Sequence, residues 1–307
     1  MNTVVVLGSV NADHVLRVSQ LPKPGETVSA ESYRILAGGK GANQAVAACR
    51  SGANTRFTAC VGDDDLGARL VGQFQDIGID TRGLMRIPNQ QTGTALIFVD
   101  PKGENCIGIS AQANGELTAG RLQTQLEAIE AADILLVQLE TPLDGIELAA
   151  AVAQESATQV VLNPAPARAL PDKLLRHIDL ITPNQTEAER LTGISVSDDA
   201  SAAKAAAVLH AKGIPLVLIT LGARGVWLSE QGKGKLMTGF KVDAVDTTAA
   251  GDCFNGALVA ALLEAISLPD AIRFAQAAAA ISVTQEGALD SIPSLVEVQD
   301  FLVANSS

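Results

Sequence analysis

Asp246-Thr247-Thr248-Ala249-Ala250-Gly251-Asp252 runs directly into Cys253-Phe254-Asn255-Gly256-Ala257-Leu258-Val259-Ala260-Ala261-Leu262-Leu263, a polar connector followed by small and aliphatic residues. The second part reads as a buried helix, which puts its first turn at Ala249, Ala250 and Gly251. A helix start leaves N–H groups without intrahelical partners, and small residues leave those groups open to an anion. Asp252 places a carboxylate at the same spot. An anion site beside a proton acceptor is what moving a phosphoryl group onto a hydroxyl requires. The alternative is a plain capped helix, with Thr248 or Asp246 as the cap.

Upstream, short β-branched runs recur: Val4-Val5-Val6-Leu7, Phe57-Thr58-Ala59-Cys60-Val61, Ile134-Leu135-Leu136-Val137, Gln159-Val160-Val161-Leu162, Leu180-Ile181 and Leu216-Val217-Leu218-Ile219. Continuous apolar runs of this length suit strands buried on both faces. Ala- and Leu-rich helical patterns lie between them, over 64–77, 117–131 and 200–212. That alternation predicts an α/β fold, a central and mostly parallel sheet flanked by helices. From Ala250 onward the chain turns largely helical, and Ser294 with Glu297 three residues later forms a capping box for the last helix. Two segments break the rhythm. One, over 12–37, contains the Pro22-Lys23-Pro24-Gly25 turn; the other pairs Thr94–Val99 with Asn105–Ser110 across Asp100-Pro101-Lys102-Gly103. The turn chemistry predicts a hairpin, and together the segments predict a small β-sheet lid. The expected division is 1–11, 38–92 and 111–307 for the α/β body and 12–37 with 93–110 for the lid.

The 307 residues are 47% hydrophobic and 18% charged, which supports an ordered core; with only 3% aromatics that core must be aliphatic. A net charge of −12 argues against a nucleic-acid or membrane-surface partner, because phosphates would be repelled. A nucleotide could still bind locally through helix N-termini and a metal ion. The cysteines 49, 60, 106 and 253 and the histidines 14, 177 and 210 are scattered, so zinc spacing and a disulfide framework are not expected. The N-terminal apolar run is too short for a signal or a span, and the expected location is cytoplasmic.

Further stretches sit where open α/β sheets bind ligands, at strand C-terminal ends. Asn11 and Asp13 follow the first strand and, two apart, point one way in extended chain; an Asx turn is the alternative. Gly38-Gly39-Lys40-Gly41-Ala42-Asn43-Gln44 precedes a helix expected over 45–50. It fits neither a Walker loop nor Gly-x-Gly-x-x-Gly, so it is either a flexible turn or a close backbone approach to a ligand. Glu140 ends the Ile134 run. Asn184 and Glu187 have the spacing of a helix cap and its N3 partner, a role compatible with facing a phosphate. Thr220, Gly222 and Gly225 read as a glycine turn at the sheet's mouth, a hairpin or a nucleotide loop.

Taken in order, these stretches resemble the ribokinase-like (PfkB-type) carbohydrate kinase family across nearly the whole chain, from Gly8–Asp13 to the segment around Ser291. The Gly38–Gln44 loop is similar to the family's N-terminal motif and Asp246–Asp252 to its C-terminal one. The resemblance implies ATP-dependent phosphorylation of a sugar, D-ribose at O5 first, with fructose, another pentose or adenosine as alternatives. A non-catalytic sugar-binding regulator and a dinucleotide dehydrogenase are the competing classes. It implies that Asp252 is the general base, and that Ala249, Ala250 and Gly251 form the anion hole. Asn11, Asp13, Gly39, Lys40, Asn43 and Glu140 would hold the sugar. Asn184, Thr220, Gly222, Gly225, Gly251 and Gln276 would line the ATP site, with Glu187 organising phosphate and magnesium. Asp246, Thr248, Ser282, Gln285, Gly287 and Ser291 would coordinate an activating potassium ion. Gln276 departs from the histidine often found there, which opens the question of nucleotide preference. The exposed strand edges of a lid predict a homodimer.

Overall fold

The computed structural model describes residues 3–264 and 266–305. Its strands are β1 (Thr3–Leu7), β2 (Asn11–Val18), β3 (Ala30–Gly38), β4 (Asn54–Gly62), β5 (Leu84–Ile87), β6 (Gly93–Val99) and β7 (Asn105–Ser110). They continue with β8 (Ile134–Val137), β9 (Gln159–Leu162), β10 (Leu180–Ile181), β11 (Leu216–Thr220), β12 (Gly225–Glu230) and β13 (Lys233–Thr238). Nine of them form one sheet in the order β13-β12-β11-β10-β9-β8-β1-β4-β5. Every pairing from β11 to β5 is parallel, and β12 and β13 add an antiparallel edge. The other four make a smaller sheet, β3-β2-β6-β7, in which β6 and β7 are the expected antiparallel hairpin.

Strand β1 shows why the large sheet must be covered twice. Val4 and Val6 face one apolar layer, shared with the helices Lys40–Arg50 and Ala250–Leu263. Val5 and Leu7 face the opposite layer, built on the helix Leu143–Glu155. All four are fully buried, each worth about 1.5–3 kcal/mol against exposure. Because side chains alternate along a strand, an unbroken apolar run means two covered faces.

Two local expectations are corrected. The helix after the glycine loop begins at Lys40 with Gly39 as its N-cap, so Gly41, Asn43 and Gln44 lie inside its first turns rather than in a turn before it. The reason is packing: a Cβ on Gly41 would stand 2.4 Å from the Ser9 backbone nitrogen. That glycine allows two backbones to touch, so its close approach is to protein rather than to a ligand. The pattern over 117–131 is not one helix. It breaks into Ala119–Leu122, a 3₁₀ turn at Gln123–Gln125, and Leu126–Glu130, where Gln125 turns inward and accepts from Arg56 at 3.0 Å. The capping boxes at Asn184 and Ser294 form as the sequence indicates.

Candidate active site

The C-terminal ends of the parallel strands converge on Asp252, which is 6% exposed in the first turn of the helix Ala250–Leu263. That helix crosses the Lys40 helix closely enough that a Cβ on Gly256 would stand 2.5 Å from the Gln44 carbonyl oxygen. The approach brings two amides onto the carboxylate. Asn43 Nδ2 donates to Asp252 Oδ2 at 3.0 Å, and Gln44 Nε2 donates to Oδ1 at 2.9 Å.

No side chain caps this helix among the described residues. Its N-cap is Ala249 at φ 59, a left-handed conformation that costs free energy for a residue with a Cβ. The capping alternative is thereby corrected: Asp246 Oδ1 accepts from the Thr248 backbone N–H at 2.9 Å and its Oδ2 from Gly287 N at 3.0 Å, so Asp246 ties the connector to a distant loop. A Cβ built on Gly251 would meet no heavy atom of the described residues within 4 Å. The helix start therefore opens into free space.

That space continues into a cleft of about 430 Å³. Of the residues expected to line an ATP site, Thr220, Gly222, Gly225, Gly251 and Gln276 line this cleft. The Thr220–Gly225 stretch is indeed a hairpin turn, joining β11 to the antiparallel β12, and it also forms the cleft wall. Asn184 and Glu187 are not part of the lining. Asn184 caps the helix Gln185–Thr192, and both Glu187 carboxylate oxygens accept from Asn184. Burial raises the Glu187 carboxyl above its ordinary value, opposed by the Asn184 hydrogen bond and the Lys40 charge. Apolar walls come from Phe240, Val242, Phe254, Ala279 and Val283, none marked by any sequence motif. The Arg273 guanidinium lies 3.5 Å over the Phe240 ring and holds it in place. Gln276 Nε2 donates to the Met237 carbonyl at 2.8 Å.

On the other side of Asp252 lies a polar cluster at the base of the small sheet. Glu140 Oε2 accepts from Ser9 Oγ at 2.5 Å and from the Lys40 backbone N–H at 3.0 Å. Asn11 Oδ1 accepts from Asn114 Nδ2 at 2.8 Å. Gly39 sits at φ 92, where a Cβ would stand 2.9 Å from the Ser9 carbonyl oxygen and 3.0 Å from the Asn11 backbone nitrogen. Among the described residues, Asp13 Oδ1 and Asn43 Oδ1 are buried without a hydrogen-bond partner. Buried acceptors left unpaired are costly, and the hydroxyls of a polyol would satisfy them. Asp252, then Glu140 and Glu187, hold the Lys40 ammonium above its ordinary value against burial.

Burial, with Glu140 and Asp252 nearby, pushes the Asp13 carboxyl up to about 7. Folding thus raises this group above its unfolded value, so its contribution to stability is full below that value and is lost as pH rises through about 7. Asp13→Asn removes the loss. Its thermal stability relative to the parent should improve between about pH 5 and about pH 8, on the order of a few kcal/mol. A pH-independent difference between the two melting curves would contradict this.

Ser282 and Ser291 are each 1% exposed, and Gln285 lies on the exposed turn between them. The Val283 carbonyl accepts from the Asp246 backbone N–H at 3.2 Å, which brings the Asp246 connector against this segment. Burial pushes the Asp246 carboxyl up, but hydrogen bonds from Thr248 and Gly287 and the charge of Arg17 leave it below the usual carboxylate range. One carboxylate among carbonyl and hydroxyl oxygens is a donor set that suits a hard cation. The residues behind the Asp252 carboxylate, Gln138, Asn163 and Asn255, carry no signal that sequence reasoning could use, and Gln44 stands in the sequence only as the end of the Gly38–Gln44 loop.

The Asp252 carboxylate and the open helix start thus lie between a polar cluster and a cleft of about 430 Å³, an arrangement that fits a phosphotransferase with an alcohol acceptor. The chain belongs to the pfkB family of carbohydrate kinases, whose model matches residues 1–295. It is 53% identical to a ribokinase of Haemophilus influenzae over 98% of both chains. Among solved structures it resembles ribokinase from Thermotoga maritima, at 38% identity and a TM-score of 0.91 over 99% of this chain and 100% of that one. It also resembles Arabidopsis thaliana ribokinase complexed with ribose and ATP, at 33% identity and a TM-score of 0.92 over 98% of each chain.

Proposed function

We propose that the chain transfers the γ-phosphoryl group of ATP to the O5 hydroxyl of D-ribose, giving ribose 5-phosphate and ADP. The observation that carries this reading is Asp252, buried and held by two amides one residue beyond an uncapped, open helix start. Asp252 takes the hydroxyl proton as O5 attacks in line, and the N–H groups at Ala249, Ala250 and Gly251 receive the phosphoryl oxygens, that of Ala250 by giving up its 3.3 Å bond to the Thr247 carbonyl. Asn11, Asp13, Gly39, Lys40, Asn43 and Glu140 orient the sugar. Thr220, Gly222, Gly225 and Gln276 hold the nucleotide, with Asn184 and Glu187 at its phosphate end. Ribose is favoured because ribokinases are similar over the full chain and because the Arabidopsis structure is a complex with ribose and ATP. A coupled ADP-release assay with magnesium-ATP and D-ribose, D-fructose or adenosine tests it. The largest kcat/KM should fall to ribose; a much larger value for another acceptor would overturn the substrate assignment.

Magnesium bound to the phosphates would neutralise charge there, with Glu187 as the carboxylate that would organise it. Potassium would sit among Asp246, Thr248, Ser282, Gln285, Gly287 and Ser291. Asp246 touches the connector that leads into the helix start, so a cation there would stiffen the anion hole. Turnover should be several-fold higher in potassium than in sodium buffer, and Asp246→Ala should abolish the difference. Equal rates for the parent in both buffers would remove the cation from the account.

The small sheet is the proposed lid, closing over the sugar and excluding water. It exposes Tyr33, Leu96, Ile107 and Ile109, each at least half accessible, and every residue of the edge strand β7 is exposed. Such an edge is usually paired or covered, so a homodimer through the lid and a cytoplasmic location complete the reading. Light scattering at micromolar concentration should give twice the chain mass, and Ile109→Lys should reduce it. A monomeric mass for the parent would contradict the dimer.

A further inference from the structure

Of the two amides on Asp252, that of Gln44 lies where substrate does not reach, since the residue is completely buried. Its other contacts run backward into the sheet. Nε2 also donates to Asn163 Oδ1 at 2.9 Å, and Oε1 accepts from Gln138 Nε2 at 2.7 Å. Gln138 follows β8 and Asn163 follows β9. Asn163 Nδ2 donates to the Thr182 carbonyl, just past β10, at 3.3 Å. Thr182 Oγ1 donates to Asn255 Oδ1 at 2.6 Å, and Asn255 Nδ2 donates to the Gly251 carbonyl at 2.8 Å. The path leaves Asp252, touches three strand ends and returns to the residue before it.

Every amide on this path has a determined orientation. The Asp252 carboxylate and the Thr182 and Gly251 carbonyls can only accept, so Gln44, Asn163 and Asn255 must present N–H to them. None of these amides titrates.

We propose that Gln44 is a positioning residue for phosphoryl transfer, fixing the plane of the Asp252 carboxylate against the strand ends; this rests on the reading of Asp252 as the proton acceptor. A carboxylate oxygen that accepts one amide N–H keeps a second lone pair. With one amide on each oxygen the carboxylate cannot rotate, and its free lone pairs stay aimed at the attacking hydroxyl. Catalytic groups need this kind of support, because small errors in direction cost rate without costing affinity.

Two substitutions test the role. Gln44→Met keeps length but removes donor and acceptor. Its kcat should fall about 10- to 100-fold, with ribose affinity by calorimetry within about threefold of the parent. Gln44→Glu supplies an O–H donor to Asp252 when protonated and a repelling charge when ionised. Its turnover relative to Gln44→Met should therefore rise as the pH is lowered. The other groups around Asp252 are Lys40 on the helix that carries Gln44, Asp13 on β2, Glu140 after β8, Glu187 on the Gln185 helix and Cys253 next to it in the chain. They are common to both variants, so the ratio of the two isolates position 44. A kcat within twofold of the parent for Gln44→Met would overturn the proposal. So would a loss shared equally by both variants at every pH, the mark of a core filler. If Gln44→Met does not fold, Gln44→Glu measured against the parent over the same pH range carries the test, and a flat ratio overturns the role. Asp252→Asn, run alongside, separates the two readings. Near-parent turnover there refutes the proton acceptor itself, whereas an inactive Asp252→Asn beside unaffected Gln44 variants refutes the positioning role alone.

Discussion

Asp252→Asn should bind D-ribose with near-parent affinity and turn over about 10³-fold more slowly, the scale of a lost general base. The fold has a way to accept the change. An asparagine at 252 would present an N–H₂ toward one of two donors, but Asn43 Oδ1 is buried without a partner and rotation of that amide converts a donor into an acceptor. Its carboxylate neighbours Asp13 and Glu140 remain to hold the sugar. The loss should therefore fall on kcat. Stopped-assay kinetics with ribose calorimetry on the same preparation would show it, and turnover within tenfold of the parent would remove Asp252 from the chemistry.

Gly251→Val should leave the melting temperature close to that of the parent while lowering kcat/KM about 10²- to 10³-fold, the range for losing one anion-hole donor. A Cβ at this position meets no heavy atom of the described residues within 4 Å beyond its own helix, and glycine is a poor helix residue in any case. The added methyls would instead occupy the space in front of the open N–H groups, where the phosphoryl group has to pass. ADP release and thermal melting measured together distinguish this from simple unfolding. Parent-like kcat/KM would mean that the helix start does not receive the phosphate.

The two results probe different halves of one site, and their legibility in the sequence differed in the same way. The helix start after Asp246 could be read locally, because the small and aliphatic run that follows is continuous, whereas the missing side-chain cap became visible only in the folded chain. The parallel sheet was equally local: Val4–Leu7 and Ile134–Val137 are unbroken apolar runs, and both lie in the sheet interior. What could not be read was contact at long range. Gln44 and Asp252 are 208 residues apart, and the bond between them exists because Gly256 and Gly41 let two helices and a loop press together. Gly38–Gly41 looks like a turn in isolation, whereas in the folded chain Gly41 is a packing contact inside the helix Lys40–Arg50. Likewise Phe240 and Val283 meet across the cleft only after β13 and the helix Leu268–Ser282 have packed.

The central claim, transfer of the ATP γ-phosphoryl group to the primary hydroxyl of ribose, is tested most directly by identifying the product. A reaction of the protein with magnesium-ATP and D-ribose, followed by ³¹P NMR, should show ADP and a single new phosphate monoester coupled to the C5 protons. Inorganic phosphate without a sugar ester, or a monoester on another carbon, would contradict the account.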